Sequence, residues 1–383
     1  MTTIRLAPTS PVIGIDASRL SVAERTGTET YTWETLRALA DVAPDAPLRL
    51  YLNADKLPAG ADLPWQTSAI PFPRLWTHAR LSWEIARRPP ALLWVPAHVV
   101  PLNHPRSVVT IHDLGYLHYP EGHTSRQRRL LDLTTRWSAH AAARIIAISE
   151  TTKRDLVERY GVDAARISVI PHGVSERFAP PSPADIAGVR TRYALPERFV
   201  LAVGTMQPRK NYDGLARAME AFARRGLPHS LVIAGKPGWM ADQVRAAIDA
   251  TGFRNRVHLL GYVPLDDLPA LYGAADVVAF PSWYEGFGLP ALEAMRCGAP
   301  VVVSNRGALP EIVGDAAAVS DPADPHAFGE RLVEIALDSS LRIRLIERGQ
   351  RHAADFTWRR TAGLSLELLI EEAAHAGRKI PAW

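Results

Sequence analysis

A strand end, a glycine-rich turn and a helix follow one another in Phe280-Pro-Ser-Trp-Tyr-Glu-Gly-Phe-Gly-Leu-Pro-Ala-Leu-Glu293. The run Val277-Val-Ala-Phe280, which leads into this stretch, has the apolar and β-branched composition of a strand buried on both faces. A buried strand that turns directly into a helix is typical of a βαβ unit, so the stretch predicts a parallel sheet.

Short apolar runs of the same kind recur on both sides of this stretch, and they alternate with longer helical patterns. Such an alternation predicts an α/β fold with doubly wound parallel sheets. In the first half the predicted strands are 12–16, 48–52, 92–95, 108–111, 145–148 and 167–170. In the second half they are 199–203, 231–234, 257–260, 277–280 and 301–303.

The length of 383 residues exceeds what one hydrophobic core usually serves, which predicts two domains. The segment Phe178-Ala-Pro-Pro-Ser-Pro-Ala-Asp185 is rich in turn residues and predicts the linker, so we place the boundary between 180 and 181. Helical patterns fill 325–354 and 359–376 with no strand between them. We expect the last helix, in 359–383, to pack back on the N-terminal domain.

The composition excludes several classes of protein. A single cysteine, Cys297, excludes a disulfide framework and a cysteine-based zinc site, and it fits a reducing compartment. A net charge of +4 is too small to indicate a nucleic-acid partner. The chain has no run of eighteen apolar residues, and its first residues lack the apolar core of a signal peptide. We therefore expect a soluble, cytoplasmic protein.

The opening stretch also carries two carboxylates, Glu285 in the turn and Glu293 on the helix. Backbone N–H groups at a helix N-terminus favour a phosphate, and four residues between the carboxylates could supply them. These four are Gly286, Phe287, Gly288 and Leu289. A carboxylate before this anion site can hold sugar hydroxyls, and one after it can hold ribose hydroxyls.

This stretch resembles the acidic E-x7-E motif of retaining glycosyltransferases of family 4, which have the two-domain GT-B fold. Further similarity lies in Val203-Gly-Thr-Met-Gln-Pro-Arg-Lys-Asn211, Ile233-Ala-Gly235 and Ala299-Pro-Val-Val-Val-Ser-Asn-Arg-Gly-Ala-Leu-Pro-Glu311. The resemblance covers roughly residues 10–370. It implies two Rossmann-like domains facing a central cleft, with the acceptor bound by 1–180 and the nucleotide sugar by 181–358.

The resemblance also implies roles for individual residues. Lys210 and Arg209 bind the donor diphosphate, Glu293 binds the ribose, and Glu285 holds the transferred sugar. The four turn residues and Gly235 complete the donor site. Adjacent cations can neutralise charge on a leaving phosphate, so we expect neither a metal nor another cofactor.

One position departs from the family pattern. Many members carry an arginine five residues before the lysine, and this chain has Thr205 there. Either Arg209 supplies the missing guanidinium or Lys210 provides the charge alone, and the sequence leaves both readings open.

Two residues of the first half join the predicted site. His112 ends the strand-like run Val108-Val-Thr-Ile111, and the resemblance implies that it approaches the donor sugar. Gly27 lies in Arg25-Thr-Gly-Thr-Glu-Thr-Tyr31, which is similar to the family's glycine-containing loop near the donor phosphate and the acceptor. A glycine there would let the backbone approach a ligand closely.

The expected partners are a nucleotide diphosphate sugar and a saccharide or lipid-linked acceptor. The segment Leu75-Trp-Thr-His-Ala-Arg-Leu-Ser-Trp-Glu-Ile-Ala-Arg-Arg88 mixes aromatic and basic residues. It could lie at the membrane interface or simply face the core, and Arg126, Arg128 and Arg129 could extend a basic surface.

The predicted function is transfer of a hexosyl group, with mannose from GDP-mannose preferred because the Val-Gly-Thr…Pro-Arg-Lys-Asn variant is most similar to bacterial mannosyltransferases. UDP-glucose, UDP-N-acetylglucosamine and a deoxysugar donor stay open. Other classes are a sugar-nucleotide epimerase of the same fold, a two-lobed sugar-binding protein and a phosphorylase. The sequence offers no convincing acid/base pair for an epimerase, no export signal for a binding protein and little length for a phosphorylase.

Overall fold

The computed structural model describes residues 12–22 and 27–377. Arg25 and Thr26 of the predicted glycine loop and the N-terminal residues 1–11 lie outside the described residues. The chain divides into two compact units. The first unit takes the described residues up to Leu114, then Ser125–Gly173, and the described residues from Thr357 onward. The second takes Gly115–Thr124 and Val174–Phe356.

A parallel sheet of seven described strands forms the centre of the first unit, in the order β3-β2-β1-β4-β5-β6-β7. The strands are β1 Ile13–Asp16, β2 Leu48–Leu52, β3 Gln66–Ala69, β4 Leu92–Val95, β5 Ser107–Ile111, β6 Arg144–Ala147 and β7 Ile167–Val169. The central strands β1, β4 and β5 are buried along their whole length because helices cover both faces of the sheet.

A second parallel sheet, of six described strands, forms the centre of the second unit in the order β10-β9-β8-β11-β12-β13. The strands are β8 Phe199–Val203, β9 Ser230–Ala234, β10 Val257–Gly261, β11 Val277–Phe280, β12 Val301–Ser304 and β13 Ala318–Ser320. The predicted α/β architecture with doubly wound parallel sheets is confirmed in both units.

The helices connect the strands in each unit. Those described before the second sheet begins are α1 Gly27–Val42, α2 Ser82–Arg87, α3 Gly115–His118, α4 Ser125–Ala141, α5 Glu150–Tyr160 and α6 Pro183–Arg192. Those that follow are α7 Tyr212–Ala218, α8 Glu220–Arg224, α9 Ala241–Asp249, α10 Leu268–Ala274, α11 Leu289–Arg296, α12 Leu309–Val313, α13 Pro325–Leu337, α14 Ser339–Ala354 and α15 Trp358–Gly377.

Two strands were not predicted, and both lie at the edge of a sheet. The residues of β3 are mostly exposed and polar, and β13 is short and only partly buried. An edge strand is covered less than a central one, so neither carries the apolar run that the prediction relied on. The helical pattern over 325–354 also divides, because Asp338 caps α14 by accepting a hydrogen bond from the Leu341 N–H.

Helix α15 packs against α1 within the first unit. The buried Glu372 carboxylate of α15 accepts a hydrogen bond from Arg106 Nε, which precedes β5, and lies 3.6 Å from the guanidinium of Arg144 in β6. The Thr361 hydroxyl donates to the Pro171 carbonyl oxygen at 2.7 Å. In the second unit, the two ends of segment Val174–Phe356 are joined by a hydrogen bond, in which the Val174 N–H donates to the Phe356 carbonyl oxygen at 2.9 Å.

The strand order reverses direction once in each sheet, between β1 and β4 and between β8 and β11. Loops that leave such neighbouring strands run to opposite faces, and ligands of open α/β sheets bind in the space between them. In the second unit this places the loop after β8 next to the loop after β11. The predicted cations and the predicted glycine turn lie on these two loops.

Candidate active site

Three charged side chains that the sequence predicted meet in the second unit. The Lys210 Nζ lies 2.6 Å from Glu285 Oε1, and Arg209 Nη1 lies 3.0 Å from Glu285 Oε2. The Ser282 hydroxyl donates to Glu285 Oε1 at 2.8 Å. The sequence separates the two cations from Glu285 widely, and the switch between β8 and β11 brings them together.

These neighbours decide the charge of Glu285. Burial raises the pKa of its carboxyl, but Arg209, Lys210 and the hydrogen bonds of Lys210 and Ser282 outweigh burial and lower the pKa to about 2. Glu285 is therefore ionised throughout the neutral range and can only accept hydrogen bonds. A half-buried carboxylate beside two cations suits sugar hydroxyls on one side and phosphate oxygens on the other.

Asn211 fixes the cation loop in place. Its backbone is left-handed, with φ of 55°, and its side-chain amide donates to the carbonyl oxygens of Pro281 and Pro322, each at 3.1 Å. The Trp283 N–H also donates to the Arg209 carbonyl oxygen at 2.9 Å. Asn211 therefore ties the loop after β8 to the loop after β11. Asn211 was not predicted as a site residue, although an asparagine directly before a helix was a usable signal.

Gly307, on the loop after β12, supports the Glu285 backbone. Its φ is +60°, and a Cβ there would lie 2.5 Å from the Glu285 carbonyl oxygen and 2.7 Å from the Glu285 nitrogen. The neighbouring Ala308 N–H donates to the same carbonyl oxygen at 2.8 Å. A side chain at Gly307 would push directly on the backbone that carries Glu285.

The predicted glycine turn leads into helix α11. Gly288 precedes the first residue of the helix, Leu289, so both backbone N–H groups lie at the helix N-terminus. Gly286 and Phe287 are buried, and the Phe287 ring makes an edge contact with Phe356 at 6.2 Å between centroids. The four residues predicted to cradle a phosphate thus lie where the helix dipole favours an anion.

Glu293, the second carboxylate of the motif, has a different partner. The buried Tyr272 hydroxyl of α10 donates to Glu293 Oε2 at 3.2 Å. Burial raises the pKa of Glu293 to about 7, even though Tyr272 and the charge of Arg177 act in the other direction. Near neutral pH this carboxyl exchanges between its ionised and protonated forms.

Gly235 and Thr205 lie where the loops after β8 and β9 pack tightly. A Cβ on Gly235 would lie 1.8 Å from the Gly204 carbonyl oxygen, and a Cβ on Gly238 would lie 2.4 Å from Thr205 Cγ2. Gly235 is thus required for the close approach of these loops. Thr205 packs under Gly238, whereas the guanidinium that reaches Glu285 comes from Arg209.

His112 and Gly27 lie in the first unit. His112 follows β5 and is buried, with Nε2 2.9 Å from the Pro96 carbonyl oxygen. Burial lowers the pKa of His112, with smaller opposing effects from Pro96, Asp113 and Glu29. Gly27 is the first residue of α1, and a Cβ there would meet no atom of the described residues within 4 Å.

A second histidine, His98, lies beside His112 and was not predicted from the sequence. The His112 N–H donates to His98 Nε2 at 3.1 Å, and the two rings stack with centroids 5.4 Å apart. His98 follows β4 and adopts a left-handed backbone with φ of 51°. Burial and the neighbouring His112 lower its pKa to about 3, so its ring is neutral and Nε2 can accept the bond.

Segment Gly115–Thr124 was also missed. It follows β5 in sequence but belongs to the second unit, where the His118 ring stacks on Tyr284 with centroids 4.3 Å apart. Tyr284 directly precedes Glu285. No sequence signal marked this change of unit.

Comparison with known families matches both units. A family model described as "Glycosyltransferase Family 4" matches residues 25–178, and one described as "Glycosyl transferases group 1" matches residues 190–352. The chain is 34% identical over 287 residues to an O-antigen chain mannosyltransferase B of Escherichia coli, which covers 74% of this chain and 75% of that protein.

Solved structures show the same fold. A sucrose-phosphate synthase of Thermosynechococcus elongatus superposes with a TM-score of 0.75 at 21% identity, covering 96% of this chain and all of that one. Anabaena Alr3699/HepE, solved in complex with UDP-glucose, gives a TM-score of 0.72 at 20% identity over 94% of this chain and 99% of that one.

Proposed function

The chain belongs to glycosyltransferase family 4, and we propose that it transfers mannose from GDP-mannose, with retention of configuration and without a metal, to a saccharide or lipid-linked acceptor. It is a glycosyltransferase of the GT-B fold. The mannose donor is supported by the name of the E. coli relative. Anabaena Alr3699/HepE, which has the same fold as this chain, was solved with UDP-glucose, so a UDP-sugar is the second candidate donor.

The observation that carries the proposal is the contact of Lys210 and Arg209 with Glu285. In a retaining transfer the acceptor oxygen bonds to the anomeric carbon on the face from which the phosphate departs. The bond from that carbon to the phosphate oxygen breaks, and the departing phosphate takes the acceptor proton. Negative charge grows on the phosphate, and two cations held in place beforehand stabilise that charge.

We propose the following roles for the remaining predicted residues. The ionised Glu285 accepts hydrogen bonds from hydroxyls of the transferred sugar, and the turn Gly286–Leu289 donates backbone N–H groups to the diphosphate. Glu293 binds the ribose. Arg209 supplies the guanidinium that Thr205 lacks. The neutral His112, whose backbone N–H is held by His98, positions the donor sugar.

We also propose that the first unit binds an anionic membrane surface through helix α4. Leu130, Leu133 and Trp137 repeat at helical spacing and are 62%, 65% and 42% exposed. We call these three residues the α4 stripe. Exposed arginines at 126, 128, 129 and 136 lie on the same helix. An apolar stripe beside arginines matches a bilayer with anionic head groups.

Segment 75–88, for which the sequence left an interfacial and a core-facing position open, is less suited to this contact. Leu81 and Ile85 are buried, and of its large apolar side chains only Leu75 and Trp83 are exposed. None of the described helices is long and apolar enough to cross a membrane.

Sedimentation with lipid vesicles tests the α4 stripe. The wild-type chain should pellet with vesicles that contain an anionic phospholipid and stay in solution with zwitterionic ones. Leu133→Asp should abolish pelleting, whereas Leu337→Asp, a matched change at an exposed leucine of α13, should not. Equal pelleting of the Leu133 variant and the wild type would remove α4 from the proposal.

A thermal-shift panel tests the donor site. GDP, UDP, dTDP and ADP are added with and without EDTA, alone and as their common sugar conjugates. A ligand that binds only the folded state raises the apparent melting temperature. We expect GDP and GDP-mannose to give the largest rise, unchanged by EDTA. A larger rise with UDP would identify a UDP-sugar as the donor in place of GDP-mannose. A rise that EDTA removes would contradict a metal-independent site.

A further inference from the structure

Trp239 stands out as a half-exposed tryptophan on a tightly fastened loop. Its side chain is 50% exposed, and it lies between β9 and α9. Two backbone hydrogen bonds fasten this loop to the loop after β8. The Gly238 N–H donates to the Met206 carbonyl oxygen at 2.9 Å, and the Met206 N–H donates to the Lys236 carbonyl oxygen at 2.9 Å. A large apolar ring kept at the surface by a fixed backbone is a candidate contact for a ligand.

The ring of Trp239 lines a shallow pocket in the second unit. The other residues that line it are Tyr119, Gly122, His123, Gln207, Pro208 and Arg209. Tyr119 and His123 belong to segment Gly115–Thr124, which no sequence motif had assigned to a site. The pocket therefore combines aromatic faces with an amide, an imidazole and a guanidinium. Such a mixture of aromatic surface and a few converging polar groups is characteristic of small-molecule sites.

A pyranose has the matching chemistry. One face of the ring presents C–H groups that can lie on an aromatic plane, and its edge presents hydroxyls that need hydrogen-bond partners. Trp239 and Tyr119 offer the planes, and Gln207, His123 and Arg209 offer the polar partners.

The position of Arg209 indicates whether this pocket binds the donor sugar or the acceptor sugar. Its guanidinium contacts Glu285 and also lines the pocket of Trp239. Under the proposed function Arg209 touches the departing phosphate, and the attacking hydroxyl has to approach that same phosphate. A sugar that shares Arg209 with the donor diphosphate is therefore placed as the acceptor.

We propose that Trp239, Tyr119 and segment Gly115–Thr124 form the binding site for the acceptor saccharide, with Trp239 stacking on a pyranose ring. This inference rests on the proposed function, because the choice of acceptor over donor follows from the role of Arg209. It assigns acceptor recognition to the second unit, in addition to the donor.

The test measures sugar binding and nucleotide binding separately on the full chain. Disaccharides of mannose, glucose, galactose and N-acetylglucosamine are titrated calorimetrically into the wild type, Trp239→Ala and Trp239→Phe. At least one disaccharide should bind the wild type. Trp239→Ala should weaken that binding at least about tenfold, and Trp239→Phe, which keeps an aromatic plane, should restore much of it.

Nucleoside diphosphate binding provides the control within each variant. The rise in melting temperature with GDP or UDP should be the same in Trp239→Ala as in the wild type. Ile343→Ala, which truncates a side chain 56% exposed elsewhere in the second unit, should change neither kind of binding.

Three results would overturn the inference. The first is that no disaccharide binds the wild type, and the second is that Trp239→Ala binds the disaccharide as tightly as the wild type does. The third is that Trp239→Ala weakens the binding of nucleotide and of disaccharide equally. The last result would assign the ring to the donor. Failure of the proposed function has a different signature, namely that no nucleotide raises the melting temperature of the wild type.

Discussion

The two ends of the Glu285–Glu293 motif differ in charge although both residues are glutamates. At the loop end, Glu285 lies between Lys210 and Arg209, and its pKa falls to about 2. At the helix end, Glu293 is bonded to the Tyr272 hydroxyl, and burial raises its pKa to about 7. The spacing of a motif thus places two carboxylates, while their neighbours decide which of them is ionised.

The difference suits two different tasks. Glu285 keeps a permanent negative charge beside two cations, which under the proposed function bind a phosphate. Glu293 lies close to the point where it gains or loses a proton at neutral pH, so the ribose contact that we propose for it would be sensitive to pH. The following changes test whether the two carboxylates are as different as the structure indicates.

Replacing Glu285 should have the largest effect. Glu285→Gln removes the charge that positions Lys210 and Arg209, and we expect turnover to fall by about 10²–10³-fold. A steady-state transfer assay measures the loss, with Glu197→Gln at an exposed glutamate as the control. Transfer within a few-fold of the wild type would show that Glu285 does not act in the reaction.

Glu285→Gln should also lower the melting temperature at pH 7. A carboxyl whose folded pKa lies below its ordinary 4.5 stabilises the fold above pH 4.5, and this contribution is lost as the pH falls toward about 2. The gap between variant and wild type should therefore shrink in acid. A gap that stays constant from pH 6 down to about pH 3 would mean that the ion pair does not cause it.

Replacing Gly307, which supports the Glu285 backbone, should have the next largest effect. Gly307→Ala combines a positive φ with a Cβ that collides with backbone atoms of Glu285. We expect a loss of at least about 1 kcal/mol in the free energy of unfolding, together with reduced transfer. Denaturant unfolding checks the first effect.

Gly188→Ala is the matched control for Gly307→Ala. Gly188 lies inside helix α6, and a Cβ there meets no atom within 4 Å. This change should be neutral or stabilising by up to about 1 kcal/mol. Similar losses in both variants would argue against a special strain at Gly307.

Glu293→Gln should have the opposite effect on stability from Glu285→Gln. Between pH 4.5 and about 7 the folded wild type holds a proton on Glu293 that the unfolded chain has released, so wild-type stability falls as the pH rises through this range. The Glu293→Gln variant has no carboxyl at this position and therefore does not lose stability in this way as the pH rises. Its melting temperature relative to the wild type should therefore rise from pH 5 to pH 8, and a difference independent of pH would contradict a raised pKa.

Removing the Tyr272 hydroxyl should have the smallest effect. Tyr272→Phe deletes one hydrogen bond to Glu293, which should cost about 1 kcal/mol and raise the pKa of Glu293 further. The pH at which stability levels off should move upward. Tyr193→Phe, whose hydroxyl bonds to the Asp267 carboxylate, should leave the profile near pH 7 unchanged.

The sequence predicted the central strands, because each is buried on both faces and reads as an apolar run. It missed the edge strands β3 and β13, whose exposed residues carry no such pattern. It predicted Lys210, Arg209 and Glu285 through motifs of local residues. It could not predict the packing of Gly115–Thr124 in the second unit, or His98 beside His112, because these contacts join residues that share no motif.

The central claim is that Lys210, held by Glu285, binds the donor diphosphate. Calorimetric titration of the wild type and Lys210→Ala with the preferred nucleoside diphosphate, and separately with its nucleoside, tests this most directly. We predict that Lys210→Ala weakens diphosphate binding at least about tenfold and leaves nucleoside binding unchanged. Equal weakening of both ligands, or no weakening of either, would contradict the claim.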